Sequence, residues 1–346
     1  MIKNDLKIIQ VIDTLSVGGA ENVFVDTCNL LYNNEVDISA LFILKKGLLG
    51  HRMNSNIPIF ELNRKNKWSI VKMKLCSEIV KKHSIIHCHS RHNYRYIKIV
   101  SILFNVKSKI IFHEHSSNLK IPRFFNSFLQ PEFIISVSSE MASAFKEKMD
   151  ILDKNIFILS NSVRKISKLN AVKYDSFFDF VLVSNFKKNK NIKFVIDLIH
   201  ELKASLLLIG QKSDINYFNE IIDDIKKNQI NLEIKENVDS VQEFLTNAKM
   251  GLHASMKETG PLVLIEYLAQ GLPFLAYETG EVSQIIKKYY PEFFINNLNI
   301  EEWKRRILFI QNKNYNPIDL QNVYEEHFNQ EIYYKNLMNI YLCIKS

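Results

Sequence analysis

The sequence predicts an α/β protein built from two parallel-sheet domains. Apolar, strand-like runs alternate with helical patterns along most of the chain, the signature of a parallel sheet covered on both faces. The alternation starts afresh near residue 178. The length of 346 residues also suits two domains, since one domain runs to ~100–200 residues.

In the first half, Leu6–Ile12 reads as a strand, Ser16–Glu21 as a loop holding Gly18 and Gly19, and Asn22–Tyr32 as a helix. A glycine loop at the C-terminal end of a first strand is a ligand position in such sheets. The dinucleotide fingerprint G-x-G-x-x-G is absent, which disfavours an oxidoreductase. Adjacent glycines still allow a close backbone approach to a ligand. Further strands are expected at Ile38–Leu44, Ile85–Cys88, Lys109–His113 and Phe133–Val137, and helices at Trp68–His83, Tyr94–Phe104 and Ser139–Met149. Six of the ten histidines fall between residues 83 and 115. His87-Cys88-His89 and His113-Glu114-His115 each end a strand, where positions i and i+2 share a face. Either pair has metal-ligand spacing, but Glu114 is the only carboxylate nearby and points to the other face. Hydrogen bonding is therefore the expected role.

The second half repeats the plan. Phe180–Val183 is a strand and Ser184–Asn191 a loop, followed by a helix over Ile192–Leu202. Lys187, Lys188 and Lys190 make that loop an anion site at a strand's C-terminal edge. Ser205–Ile209, Asn231–Lys235 and Met250–Ala254 read as strands, and Tyr217–Lys227 and Val241–Ala248 as helices. The stretch Ser255–Pro273 carries Glu258, the turn Thr259-Gly260-Pro261 and a helix expected to begin at Pro261, with Glu266 inside it. Proline suits a helix start because its missing N–H would have no partner there. The first amides of that helix, from Leu262 onward, would attract an anion, phosphate above all. Phe274–Tyr277 is the next strand, and Leu320–Ile344 reads as one long helical pattern whose aromatic stripe packs on the protein.

Composition narrows the classes. Four scattered cysteines, Cys28, Cys76, Cys88 and Cys343, read as buried reduced thiols, and the N-terminus shows no secretory pattern. No run reaches the ~18 apolar residues of a membrane span. A cytoplasmic protein is expected. The net charge of +8 sits in the first half: residues 1–160 hold 22 Lys and Arg against 14 Asp and Glu, and the remainder 23 of each. That balance fits an anionic membrane surface or a phosphorylated partner as well as a solvated face. The helix from Lys65 to Lys82 mixes lysines with Trp68, Ile70, Val71, Met73, Leu75 and Ile79. It is expected to pack on its own sheet, with a membrane-surface position as the alternative.

Taken together, Gly18-Gly19-Ala20-Glu21, Ile86-His87-Cys88-His89, Phe112-His113, Val137-Ser138, Leu159–Val163, Lys190-Asn191 and the Glu258–Glu266 pair resemble glycosyltransferase family 4. The likeness spans nearly the whole chain. It implies the GT-B fold, two Rossmann-like domains facing across a cleft. The domains would be residues 1–165, with a C-terminal helix of about 328–346 packing back on them, and 166–327, with the linker between Val163 and Phe178. It implies a retaining transfer from a nucleotide sugar, UDP-linked, to a lipid-linked or polysaccharide acceptor in cell-surface polysaccharide synthesis. No metal or other cofactor is implied, and no nucleic acid. A peripheral position at the inner face of the plasma membrane suits such an acceptor. Position by position, Glu266 would bind ribose and Glu258 the donor sugar. Gly260 and Leu262 would offer amides, Lys190 would meet the leaving diphosphate, Gly18 and Gly19 would approach it, and His113 would lie close to the transferred sugar. Relatives commonly carry Gly-Arg where this chain has Ser184-Asn185, so Asn185 would stand in the donor site and the second clamp would fall to Lys187 or Lys188, or catalysis would be weakened. That departure also admits a non-catalytic GT-B subunit. A nucleotide-sugar epimerase or phosphorylase on the same fold is the remaining alternative.

Overall fold

A computed structural model describes residues 6–66, 68–116, 118–121, 125, 127–149, 151–166 and 177–345. The chain forms two compact units, Met1–Asn161 with Gln330–Ser346, and Ser162–Asn329. Most of the expected linker, residues 167–176, lies outside the described residues.

Unit 1 holds a seven-stranded sheet of β1 (Lys7–Ile12), β2 (Asp37–Phe42), β3 (Ile59–Glu61), β4 (Ile85–Cys88), β5 (Lys109–Glu114), β6 (Phe133–Ser136) and β7 (Ile156–Ile158), in the order β3-β2-β1-β4-β5-β6-β7. Every pairing is parallel. The strands read as unbroken apolar runs because both faces are covered. The covering helices are α1 (Gly19–Asn33), α2 (Ile70–Val80), α3 (Arg91–Leu103), α4 (Ser139–Lys148) and the last helix of the chain. Two cores result. One has Ile8, Phe24, Cys28 and Ile135 meeting Leu337 and Tyr341; the other, on the opposite face, has Ile9, Cys76, Ile97, Phe112 and Phe145.

Unit 2 repeats the motif with β8 (Phe178–Val183), β9 (Leu206–Ile209), β10 (Leu232–Lys235), β11 (Ala248–His253), β12 (Phe274–Tyr277) and β13 (Phe294–Ile295), ordered β10-β9-β8-β11-β12-β13. Its helices are α5 (Ile192–Leu202), α6 (Ile215–Lys227), α7 (Gln242–Leu245), α8 (Leu262–Gln270), α9 (Gly280–Ile286), α10 (Ile300–Lys313) and α11 (Pro317–His327). The pairings are again parallel. In each sheet the strand order reverses beside the first strand, at β1/β4 and at β8/β11. Ligands of open α/β sheets bind at such points, outside the carboxyl ends of the strands.

Four expectations need correction. The tail is two helices, α11 and α12 (Gln330–Lys345), broken at Phe328 and Asn329. The aromatic stripe divides with it: Tyr324 and Phe328 join the core of unit 2, and Tyr333 and Tyr341 that of unit 1. Helix α7 is a single turn, because Ala248 already belongs to β11. Cys343 is exposed, unlike Cys28, Cys76 and Cys88. Helix α2 packs through Met73, Cys76 and Val80, yet Trp68, Ile70, Val71 and Leu75 are exposed. Its apolar residues occupy two faces of the helix, and one sheet can cover only one of them. Among the described residues, no helix is long and apolar enough to cross a membrane.

Candidate functional site

In unit 2 the reversal point brings together the ends of two paired strands. β8 runs into the lysine loop, whose turn Lys188–Lys190 leads to Asn191 at φ 53. That left-handed conformation favours glycine, and asparagine tolerates it better than other side chains do. The Asn191 side-chain amide donates to the carbonyl of Ala254 at 2.9 Å, tying this loop to the chain just after β11. The tie carries Lys190 to Glu258, and the two form an ion pair in which both side chains are about four-fifths buried. The Glu258 loop is braced from the next strand. The Glu258 amide donates to Thr279 Oγ1 at 3.1 Å, and the Glu281 amide to the Thr259 carbonyl at 2.8 Å. Gly280 makes this brace possible. It sits at φ +76, and a methyl group there would press on the carbonyls of Thr259 and Glu258.

His253, the last residue of β11, completes the group. It is buried, with Nε2 4.0 Å from Glu258 Oε1. Burial holds its imidazole down to about 4. Burial pushes the Glu258 carboxyl up, but the charges of His253 and Lys190 and hydrogen bonds from Lys190 and Ser255 outweigh it, leaving the group below its usual range. His253 is neutral above about pH 4, so Lys190 is the standing countercharge at neutral pH. Sequence reasoning missed His253, Thr279 and Gly280. A polar residue closing the apolar strand Met250-Gly251-Leu252-His253 was the available signal.

The helix that follows starts one residue later than expected, with Pro261 as N-cap and Leu262 as the first helical residue. Glu266 lies in its second turn, half-buried. No side chain caps α8. The same holds for α1 behind Gly18 and for the shorter α9, whereas at α5, behind Asn191, the Lys193 amide already donates to the Tyr217 hydroxyl at 3.1 Å. By contrast Ser69, Ser90, Ser138, Asp214, Asn299 and Asn316 cap α2, α3, α4, α6, α10 and α11 with their own side chains. The first amides of a helix lack intrahelical partners and carry the positive end of its dipole. Helix starts without a side-chain cap next to the strand reversal are therefore the ones open to an anion. Of the remaining loop residues, Lys187 is exposed, while Asn185 Oδ1 accepts from the Gln211 amide at 3.0 Å. Asn185 thus braces the loop after β9.

In unit 1, Gly18 and Gly19 open α1, and Ser16 Oγ donates at 2.7 Å to Glu21, whose carboxylate folds back over Gly18. The reversal point here holds histidines. β4 and β5 are neighbours, so the two pairs of the sequence merge into one cluster of His87, His89, His113 and His115. Burial lowers all four, with neighbouring imidazoles adding to the shift for His87, His89 and His113; His87 falls to about 3 and His115 to about 4. Glu114 turns away to an ion pair with Arg91. One nitrogen each from His87, His89 and His113 lie within 4.8 Å of one another. Their rings, however, are stacked, at 17° for His87 on His89 and 27° for His87 on His113. An imidazole binds a metal in its own plane, and the stacked His87 shares no such plane with either neighbour, while His89 and His113 are tilted at 42°. The arrangement suits hydrogen bonding from ring to ring.

Comparison with known proteins places the second unit. Residues 164–326 match the family model described as Glycosyl transferases group 1, almost the whole of unit 2. A curated relative, N-acetyl-alpha-D-glucosaminyl L-malate synthase of Bacillus anthracis, is 31% identical over 115 residues. That stretch is 30% of this chain and 28% of the relative. Solved structures extend the likeness to both units. The chain is similar to a glycosyltransferase from Rickettsia africae ESF-5, with TM-score 0.79 at 17% identity, covering 99% of this chain and 100% of that one. It is also similar to Anabaena HepE in complex with UDP, with TM-score 0.78 at 14% identity, covering 96% and 99%. The fold is that of the GT-B glycosyltransferases, with one Rossmann-like parallel sheet in each unit.

Proposed function

We propose that the protein is a retaining glycosyltransferase that moves a hexosyl group from a UDP-linked donor to a lipid-linked or polysaccharide acceptor in cell-surface polysaccharide synthesis. The observation that carries this reading is the Lys190–Glu258 pair, held beside the N-terminus of α8 where no side chain caps the helix. An ionised carboxylate accepts hydrogen bonds from sugar hydroxyls. A lysine and free helix amides meet phosphate, and they do so most strongly as charge develops on the departing diphosphate. In this reading Glu258 holds the sugar and Glu266 the ribose. Gly260, Leu262, Lys187 and Lys190 meet the diphosphate, so no metal is needed for charge balance. In unit 1 taken by itself, this reading assigns ligand binding to Gly18, Gly19 and His113. Support for the donor class comes from HepE, solved with UDP and with UDP-glucose, and from TarM of S. aureus, solved with UDP.

The reaction is tested by incubating the protein with a panel of nucleotide sugars and acceptors, with and without EDTA, and measuring release of nucleoside diphosphate. Release from one donor, resistant to EDTA and abolished in Glu258→Ala, is expected. Tight binding without release across all acceptors would instead favour a non-catalytic subunit, a reading that draws on Asn185 standing where relatives place arginine.

For the acceptor we propose an anionic membrane surface as the meeting place. Trp68, Ile70, Val71 and Leu75 are exposed beside Lys65 and Lys74. Apolar side chains among lysines match the boundary of an anionic bilayer. Flotation with phosphatidylglycerol vesicles at low salt should recover the protein, and Val71→Glu should reduce that recovery. Equal recovery with neutral vesicles would remove the electrostatic part of the proposal.

A further inference from the structure

Six polar side chains of unit 1 form a single chain of hydrogen bonds. His115 Nε2 meets His89 Nδ1 at 3.0 Å, and His89 Nε2 meets Gln10 Oε1 at 2.6 Å. Gln10 Nε2 donates to Tyr341 Oη at 2.8 Å, Tyr341 Oη meets His87 Nδ1 at 2.7 Å, and His87 Nε2 meets His113 Nδ1 at 3.1 Å. Gln10, His87 and Tyr341 are fully buried and His113 is 1% exposed. The far nitrogen of His113, Nε2, has no partner among the described residues.

With the Gln10 oxygen toward His89 and its nitrogen toward Tyr341, the direction of this chain follows from counting protons. A neutral imidazole has one N–H and one lone pair, and an amide nitrogen only donates while its oxygen only accepts. Gln10 Oε1 therefore requires an N–H at His89 Nε2, which leaves Nδ1 to accept from His115. On the other side, Gln10 Nε2 donates to the phenol oxygen, whose own proton then goes to His87 Nδ1. His87 must carry its proton on Nε2 and give it to His113 Nδ1. The proton of His113 is left on Nε2. Every link points the same way, and the last donor is the unpartnered one.

We infer that Gln10 and Tyr341 are positioning residues that lock His113 as the Nε2–H tautomer, so that the end of β5 offers a neutral hydrogen-bond donor to an oxygen of a bound ligand, hydroxyl or phosphate. Gln10 lies in the first strand and Tyr341 in α12, neither in the loops that hold the donor-binding residues. Neither touches a ligand; they act through His87. That the ligand oxygen belongs to a nucleotide sugar rests on the proposed function, whereas the tautomer does not.

The test is two-bond proton–nitrogen correlation NMR on the full chain with labelled histidine, with His113 assigned through His113→Asn. The expected spectrum shows His87, His89 and His113 all as Nε2–H. Tyr341→Phe, which keeps the ring and removes one oxygen, should leave His89 as Nε2–H and release His87 and His113 into mixed or Nδ1–H forms. Gln10→Met should scramble His89 as well. His113 found as Nδ1–H in the unaltered protein overturns the inference, and so does an unchanged His113 in folded Tyr341→Phe. If Tyr341→Phe fails to fold, the unaltered protein's spectrum still decides. The locked tautomer together with no nucleoside diphosphate release would reject the transferase reading and keep the chain.

Discussion

At the strand reversal of unit 1, the chained polar groups are uncharged and pair in a line that ends at His113 Nε2. At that of unit 2, a lysine and a glutamate face each other as ions. The two sheets share their topology, so the backbone does not set this difference. It comes from side chains at a few strand ends: Gln10, His87, His89 and His113 on one sheet, Lys190, His253 and Glu258 on the other. A neutral chain fixes where protons sit but gives little field. An ion pair gives a field but needs support from its loops, which the Asn191–Ala254 and Glu258–Thr279 hydrogen bonds supply. The same position in one fold is thus built for orientation in one unit and for charge in the other.

Acid should separate the units most strongly. The four clustered histidines are held below their unfolded value of 6.5, His87 to about 3 and His115 to about 4. The unfolded chain therefore takes up these protons first. Their stabilising contribution is complete above pH 6.5 and is lost as pH falls from there through the folded values. Each contributes up to ~1.4 kcal/mol per pH unit within that window. Unit 2 has one such group in its site, His253, lowered to about 4. Hydrogen exchange at pH 7 and pH 5, corrected for intrinsic rates, should show β4 and β5 losing far more protection than β8 and β11. Equal loss would break the comparison.

Removing charge should separate them next, now on the side of unit 2. If the proposed function holds, Lys190→Met is expected to lower turnover by ~10²–10³-fold while the fold is kept, because that function has Lys190 meet the developing charge. The reading to make is nucleoside diphosphate release, with circular dichroism as the check on folding. A change below threefold would assign Lys190 a structural role.

Smaller effects probe the supports. A methyl group on Gly210 would run into the carbonyl of Ser184, so Gly210→Ala should destabilise unit 2 by ~1–3 kcal/mol, the usual cost of overpacking. A urea midpoint equal to that of the unaltered protein would contradict the contact. Asn191 divides into two parts. Asn191→Gly keeps the left-handed backbone and loses only the bond to Ala254, a cost of ~0.5–1.5 kcal/mol. Asn191→Ala loses both and should unfold at a lower urea concentration than Asn191→Gly. The reverse order would show that the backbone angle does not matter there.

Much of the fold was legible because long strands and helices carry a period. Ile85–Cys88, Ile192–Leu202 and Phe274–Tyr277 match the expected bounds residue for residue. Ile59–Glu61, Ile156–Ile158 and Phe294–Ile295 are too short to show one. The broken tail was missed because Tyr324, Phe328 and Ile332 keep a spacing of four across the break, as do Tyr333, Leu337 and Tyr341 beyond it, and the sequence does not mark which core the aromatic residues enter. Spacing also singled out the Lys190-Asn191 loop and the stretch with the two glutamates, which the structure joins through the Lys190–Glu258 pair. The merging of two His-x-His pairs was hidden, because it depends on β4 and β5 lying side by side. So was the link from Gln10 to Tyr341, which are 331 positions apart.

That separation bears on how the protein is made. β1 leaves the ribosome early, and its partner helix α12 leaves after every residue of unit 2. Unit 2 is continuous in sequence and free to fold as soon as α11 is out, whereas unit 1 waits with its Leu337 and Tyr341 pockets unfilled. Domains generally fold in the order of their synthesis; here the unit that begins first is completed last. A nascent chain stopped before residue 330 would carry a finished second unit and an open first one. Exposed apolar surface of that kind is what chaperones bind.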